Sequence, residues 1–316
     1  MPTSPSSRLA RGALLALGLL SGACAGPQAA KQAWPAATPA PEARAFLWEV
    51  TRPDGAGRPL YVSGSVHVGK PGQFTFPPGF ERVLGRVDAL VLEVDPRKAD
   101  PEVVKGLVMG LGTYRAPDNL DAHLDARTRE LLPEALRRNR LLPKAVASLR
   151  PWFLATMLSM SELERGGYNP GSGVDRLLFE RFQATGEILE LESMERQLKM
   201  LAGLPEPTQV LLLRDVLEGS AETVRTVEAA AAAWQAGDAA AMAAILLERA
   251  ADPDLAPLYE TVFWARNRAM ADALAPLAGG RRTQLVVVGA GHVVGPKGIL
   301  ALLEARGLRV RQLERE

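Results

Sequence analysis

The chain has 316 residues, 47% of them apolar, with 37 Lys plus Arg against 36 Asp plus Glu. So even a balance excludes the broad basic field that captures nucleic acid and the acidic tail of a solvating linker, so partners must be recognised locally. The apolar content is enough to bury one large core with helical insertions.

The first residues carry Arg8 and Arg11, then an apolar run from Gly12 to Leu20, then small residues from Ser21 to Ala25. This is the pattern of a secretory signal peptide, assigned here to residues 1–25. A bilayer needs roughly 20 apolar residues, and this run is shorter. The expectation is an exported protein: periplasmic in a bacterium, or otherwise secreted. Cys24 is the sole cysteine, so no intramolecular disulfide can form. It stands where a lipoprotein signal places its lipidated cysteine, which makes membrane tethering one reading, and Ala23-Cys24-Ala25 as an ordinary cleavage site the other. Residues 26–44, rich in Ala, Pro and Gln, read as a flexible tether, and residues 45–316 as a single α/β domain.

Residues 46–51 and 60–65 are β-prone runs separated by Pro53-Asp-Gly-Ala-Gly57, which predicts an N-terminal hairpin. Further strands are predicted over 88–95, 187–192, 284–289 and 308–313, several as near-continuous apolar runs of the kind covered on both faces. Helical insertions are predicted at about 97–165 and 207–277. In the first, Asp121 reads as a cap for a segment reaching Arg140, and Pro143 as the start of a helix through Leu163. In the second, the alanine-rich stretch from Glu228 to Ala244 reads as packed helix because Trp234, Met242, Ile245 and Leu246 recur at helical spacing. The fold class is α/β, a central mixed and largely parallel sheet.

Two of the three histidines follow apolar strands in one pattern, Gly64-Ser-Val-His67 and Gly289-Ala-Gly-His292. With 29 glycines in 316 residues, a glycine three places before a given histidine is expected about one time in eleven. Imidazole suits metal binding or proton transfer near neutral pH, and glycine admits close backbone approach. Ligands of open α/β sheets collect beyond the strands' carboxyl ends, where both histidines fall. If their strands are neighbours, 225 residues of separation (292 − 67) collapse to a few ångströms. Glu93 occupies an apolar strand near its end, so it must be coordinated, hydrogen-bonded or protonated. Two histidines and a carboxylate are a minimal donor set for a divalent metal with open positions. Each has a plainer reading as well: Glu93 as a strand-end cap or the partner of Arg97, and His123 as a surface or helix-packing residue.

Leu47-Trp-Glu-Val, Leu60-Tyr-Val-Ser-Gly-Ser-Val-His67-Val-Gly and Asp88-Ala-Leu-Val-Leu-Glu-Val-Asp95 resemble the opening of the TraB/GumN family, which includes the TIKI metalloproteases. Gly173-Val-Asp175, Leu189-Glu-Leu-Glu192 with Gln197, Trp264-Ala-Arg-Asn267-Arg268 and Val287-Val-Gly-Ala-Gly-His292-Val-Val-Gly295 are similar to its later blocks, in order. The resemblance implies a fold like that of the haem-binding ChaN proteins and the erythromycin esterases. For TIKI-like members it implies divalent-metal-dependent peptide cleavage supported by manganese or cobalt. Carried over by position, His67, His292 and Glu93 form the core, and Asp175, Glu192, Gln197, Arg266 and Asn267 are further matches.

The expected function is therefore that of a metal-dependent hydrolase, a peptidase first, acting on a peptide or small molecule. His67, His292 and Glu93 would hold Mn, Co or Zn, and Glu93 would ligate it or act as general base. Arg266 reads as an oxyanion stabiliser or, more commonly for a helical arginine, as a structural ion pair. Asp175 reads equally as a cap for helix 176–183. The rival expectation is a non-catalytic carrier of haem or metal on the same scaffold.

Overall fold

The computed structural model describes residues 44–184 and 186–316, the side chains of residues 220 and 221 excepted. The leader and tether expected from the sequence, with Cys24, fall up to residue 43 outside the described residues. The described chain opens directly in a strand. Six strands, β1 (Arg44–Thr51), β2 (Leu60–Ser65), β3 (Ala89–Leu92), β4 (Glu187–Glu190), β5 (Gln284–Gly289) and β6 (Arg309–Glu314), form one sheet in the order β4-β3-β5-β2-β1-β6. The pairs β2/β5, β3/β5 and β3/β4 are parallel, and β1/β2 and β1/β6 are antiparallel. This is the mixed, largely parallel α/β sheet expected from the sequence. Strands β2, β3 and β5 are buried along their whole length, the environment that apolar runs such as Ala89–Leu92 and Leu285–Val288 require. The edge strand β6 alternates exposed and half-buried residues over most of its length.

Helix α1 (Pro78–Leu84) follows the hairpin, and α2 (Pro101–Gly112), α3 (Ala126–Arg138), α4 (Pro143–Val146), α5 (Pro151–Arg165) and α6 (Val174–Phe182) connect β3 to β4. Helices α7 (Met194–Ala202), α8 (Glu206–Glu218), α9 (Ser220–Ala236), α10 (Ala239–Leu246), α11 (Ala256–Tyr259) and α12 (Ala265–Leu274) connect β4 to β5. The one-turn α13 (Ala290–Val293) and α14 (Ile299–Ala305) lead on to β6.

Three local readings need correction. Asp125, not Asp121, caps α3, and Asp121 pairs with Arg129. Pro143 opens only one turn, because Arg150 precedes Pro151 and is pushed into extended backbone, so the helix restarts at Pro151. The alanine-rich segment is two helices, since Gly237 takes the left-handed conformation (φ 68°) against the Arg44 carbonyl and Asp238 caps α10.

One apolar cluster packs against the sheet around Phe46, Val62, Val286 and Trp234. A second, built from α5, α8 and the segment before α12, centres on Trp152, Leu158, Leu213 and Phe263. The sites where these clusters approach the carboxyl ends of β2, β3 and β5 hold the polar residues.

Candidate functional site

Ser65 and Gly289, the last residues of β2 and β5, lie in register, so the two Gly-x-x-His segments leave neighbouring strands side by side. Trp234 of α9 donates its indole N–H to the Gly64 carbonyl at 2.7 Å, fixing the first segment, and a Cβ on Gly64 would strike the Phe46 ring at 2.6 Å. Gly291 has no room for a Cβ either, because the Phe263 ring lies 2.5 Å from where it would sit. Both glycines are needed for packing that aims the histidines.

The two imidazoles face different surroundings. Nδ1 of His67 lies 3.3 Å from Asp175 Oδ1, and the same oxygen accepts from the Ser65 hydroxyl at 2.6 Å. Ser65 Oγ in turn accepts from the Asp175 backbone N–H at 3.1 Å. Asp175 therefore orients His67 and does not cap α6, whose N-cap, Gly173, offers no side chain. Nε2 of His67 is buried and has no hydrogen-bond partner. The side chains are 11% exposed for His67 and 35% for Asp175, so this side reaches solvent. Burial opposes charge on His67, but Asp175 and Glu93 outweigh it and raise its pKa to about 9. Burial likewise pushes the Asp175 carboxyl up, and His67 and Ser65 hold it below the usual range.

His292 is sealed, with 0% exposure. Arg266 Nη1 lies 2.9 Å from His292 Nε2, and an arginine can only donate, so Nε2 accepts and the ring is neutral. Its proton is then on Nδ1, 2.5 Å from Asn267 Oδ1, and the Asn267 amide is oriented by donating to the Lys297 carbonyl at 2.8 Å. Burial first, then Arg266, lower the His292 pKa to about 3.

Glu93 follows β3, and the backbone ladder continues past the strand: Glu192 N–H donates to the Glu93 carbonyl at 2.8 Å. The two carboxylates are thus held side by side. Arg266 joins them, with Nη2 at 2.5 Å from Glu93 Oε2 and 2.7 Å from Glu192 Oε2, and Nε at 2.9 Å from Glu192. Nη1 also donates to the Val262 carbonyl at 3.1 Å, in the π-helical turn Glu260–Trp264 that precedes α12. All N–H groups of Arg266 are engaged. Gln197 Nε2 donates to Glu93 and Glu192, and Gly289 N–H to Glu93 Oε1 at 2.5 Å. Burial alone would raise the Glu93 pKa, but Arg266 above all outweighs it and lowers it to about 2. Arg97, offered by the sequence as a partner for Glu93, pairs with Asp95 instead.

The ordered blocks and this shared cluster make the comparison with known proteins decisive. The model of the TraB/PrgY/gumN family matches residues 46–312. The chain belongs to the TraB/PrgY/gumN family. It is 24% identical over 267 residues to the protein printed as uncharacterized protein YbaP in Escherichia coli (strain K12), covering 82% of this chain and 93% of YbaP. The YbaP of Shigella flexneri has the same identity and coverage. No solved structure matches.

In this TraB/PrgY/gumN chain the donor set does not fit the divalent metal that the sequence resemblance implies. Metal ligation needs the His292 lone pair, which faces Arg266, while Nδ1 faces Asn267. Both Glu93 oxygens accept N–H bonds, and a guanidinium stands among the donors. Among the described residues no group of three or more His, Cys, Asp or Glu side chains is placed to hold a metal ion. A haem iron would find one open imidazole nitrogen here, that of His67.

The structure brings His67, Glu93, Asp175, Glu192, Gln197, Arg266, Asn267, Gly289 and His292 together and leaves His123 elsewhere, stacked on Tyr114 and paired with Asp118 and Glu206. Ser65 joins these residues without having been a candidate from the sequence. Its signal was a hydroxyl at the end of a fully buried strand, a group that must find a partner. Two open surface concavities, of about 650 and 500 Å³, lie by Gly57 and Gly279 and by Asp88 and Gly186. These residues precede the strands, at the end of the sheet opposite the histidines.

Proposed function

We propose that this TraB/PrgY/gumN chain hydrolyses an amide or ester bond, peptides being the first substrate class to test, with His67 moving the proton. The observation that carries the reading is the buried, unpartnered Nε2 of His67, backed on its other nitrogen by Asp175. A buried polar atom without a partner costs about 1–3 kcal/mol, a cost that a ligand oxygen would relieve. The position a Gly289 Cβ would occupy lies 2.8 Å from that nitrogen, 3.3 Å from Glu93 Oε1 and 3.5 Å from His292 Cδ2. A side chain at residue 289 would crowd Nε2 of His67, and glycine keeps that nitrogen clear for a substrate. In its neutral form His67 takes a proton from water through Nε2 while Asp175 holds the Nδ1 proton, the pairing of base and orienting carboxylate common to hydrolytic sites. Glu93, Glu192 and Arg266 hold the wall against which substrate sits. The donors do not fit a metal, so the proton transfer falls to His67. The leader-like residues 1–25 support export, with Cys24 placed as a lipidated cysteine would be, and so a substrate outside the cytoplasm.

The test is turnover of a mixed peptide and ester library by wild type and His67→Ala. Cleavage that disappears in the variant supports the reading. Absence of cleavage together with haem absorption by the purified protein replaces it with the carrier.

A further inference from the structure

We infer that Arg266 is a resident cation: its guanidinium takes the place of a divalent metal among His292, Glu93 and Glu192, and the centre is complete without a metal ion. One imidazole nitrogen and two carboxylates form a donor set that binds first-row divalent metals when it converges on empty space. Here it converges on a side chain. His292 Nε2 is 2.9 Å, Glu93 Oε2 2.5 Å and Glu192 Oε2 2.7 Å from the guanidinium nitrogens. The supporting shell has the form that metal sites use, in which the second nitrogen of the ligating imidazole is fixed by a hydrogen bond. Asn267 holds His292 in the one tautomer that presents Nε2, and the Lys297 carbonyl fixes the orientation of Asn267. Gln197 bridges the two carboxylates from the other side.

The planar fork matters. A guanidinium presents several N–H donors in fixed directions and stays charged at any pH at which the protein is folded. It therefore neutralises the buried carboxylates permanently, whereas a bound ion could exchange or be removed by a chelator. It also repels a second cation. A divalent ion beside Glu93 would stand within a few ångströms of a fixed positive charge that the fold cannot move away, since Arg266 is tied to Val262 and Glu192 as well.

The test is titration of Zn²⁺, and separately Mn²⁺, into the full chain after treatment with EDTA and dialysis, followed by calorimetry and by the thermal midpoint. The expected result is no ion bound with a Kd below about 10 μM at these residues, and an unchanged midpoint. Binding of one equivalent that weakens at least about tenfold in His292→Ala or in His67→Ala overturns the inference. Binding that is undiminished in both variants lies elsewhere on the chain and leaves the centre metal-free, as inferred. The inference stands apart from the hydrolase reading: a chain that cleaves nothing and binds no metal here refutes that reading alone, and one that cleaves through an ion on His292 refutes this inference alone.

Discussion

The His67 side and the His292 side of the site begin from the same four-residue pattern and end in opposite states. His67 is backed by acids on either hand, touches solvent and keeps one ring nitrogen without a partner, and its pKa is raised to about 9. His292 is sealed, neutral and bonded at both nitrogens, and its pKa is lowered to about 3. The difference lies in what α6 and α12 bring to the strand ends, an aspartate to one and an arginine to the other. A repeated motif can thus specify a shared position without specifying a shared environment: one histidine keeps a ring nitrogen without a partner, and the other secures the arginine that organises the carboxylates.

The largest effects should separate the two sides by kind. Arg266→Ala removes the partner of two buried carboxylates, and a broken buried pair costs about 3–5 kcal/mol, so the urea midpoint should fall steeply. His67→Ala should lower kcat/KM by about 10²–10⁴-fold, and above pH 9, where the raised pKa of His67 no longer contributes stability, its urea midpoint should fall less than that of Arg266→Ala. Equal loss of stability in both variants would erase the distinction. Next in size, Asn267→Ala leaves the His292 Nδ1 proton unpaired inside the protein and should cost about 1–3 kcal/mol in a denaturant titration.

Smaller changes sharpen the contrast through pH. If neutral His67 is the base, kcat/KM should rise with pH through about 9, and Asp175→Asn, by removing the main charge that raises the pKa, should move that limb to lower pH. A limb that stays in place would assign it to another group. Stability should follow the same shifts. The raised pKa of His67 contributes stability that is complete below about 6.5 and is lost as pH rises through about 9. The lowered pKa of His292 acts in the other direction, costing stability as pH falls from about 6.5 towards 3, and Glu93 adds a loss as pH falls from about 4.5 through 2. In urea midpoints measured across pH, His67→Ala should flatten the alkaline fall and leave the acid fall intact.

The sheet was legible because its strands carry their own signal: β2 opens on the apolar Leu60-Tyr-Val and β5 carries Leu285-Val-Val-Val, and each reaches a glycine, Gly64 or Gly289, where a Cβ would strike its neighbours. Helix boundaries were less so, since the break between α4 and α5 depends on the residue before Pro151, and the break after α9 on the fit of Gly237 against Arg44. Site membership was readable from residue type and order, because buried Glu93 and Glu192 demanded partners. The partners themselves were not. That Arg266 faces both carboxylates and His292 depends on how the π-helical turn before α12 sets its direction, and nothing in Trp264-Ala-Arg-Asn267 encodes that turn locally. Ser65 was passed over because serine in a strand is usually silent.

The electrostatic opposition of the two histidines can be read from ¹⁵N–¹H spectra of the imidazole nitrogens at pH 7, with His123 assigned through His123→Gln. His292 should be neutral and protonated on Nδ1, and His67 cationic, titrating near pH 9. A His292 protonated on Nε2, or two rings in the same protonation state at pH 7, would contradict it.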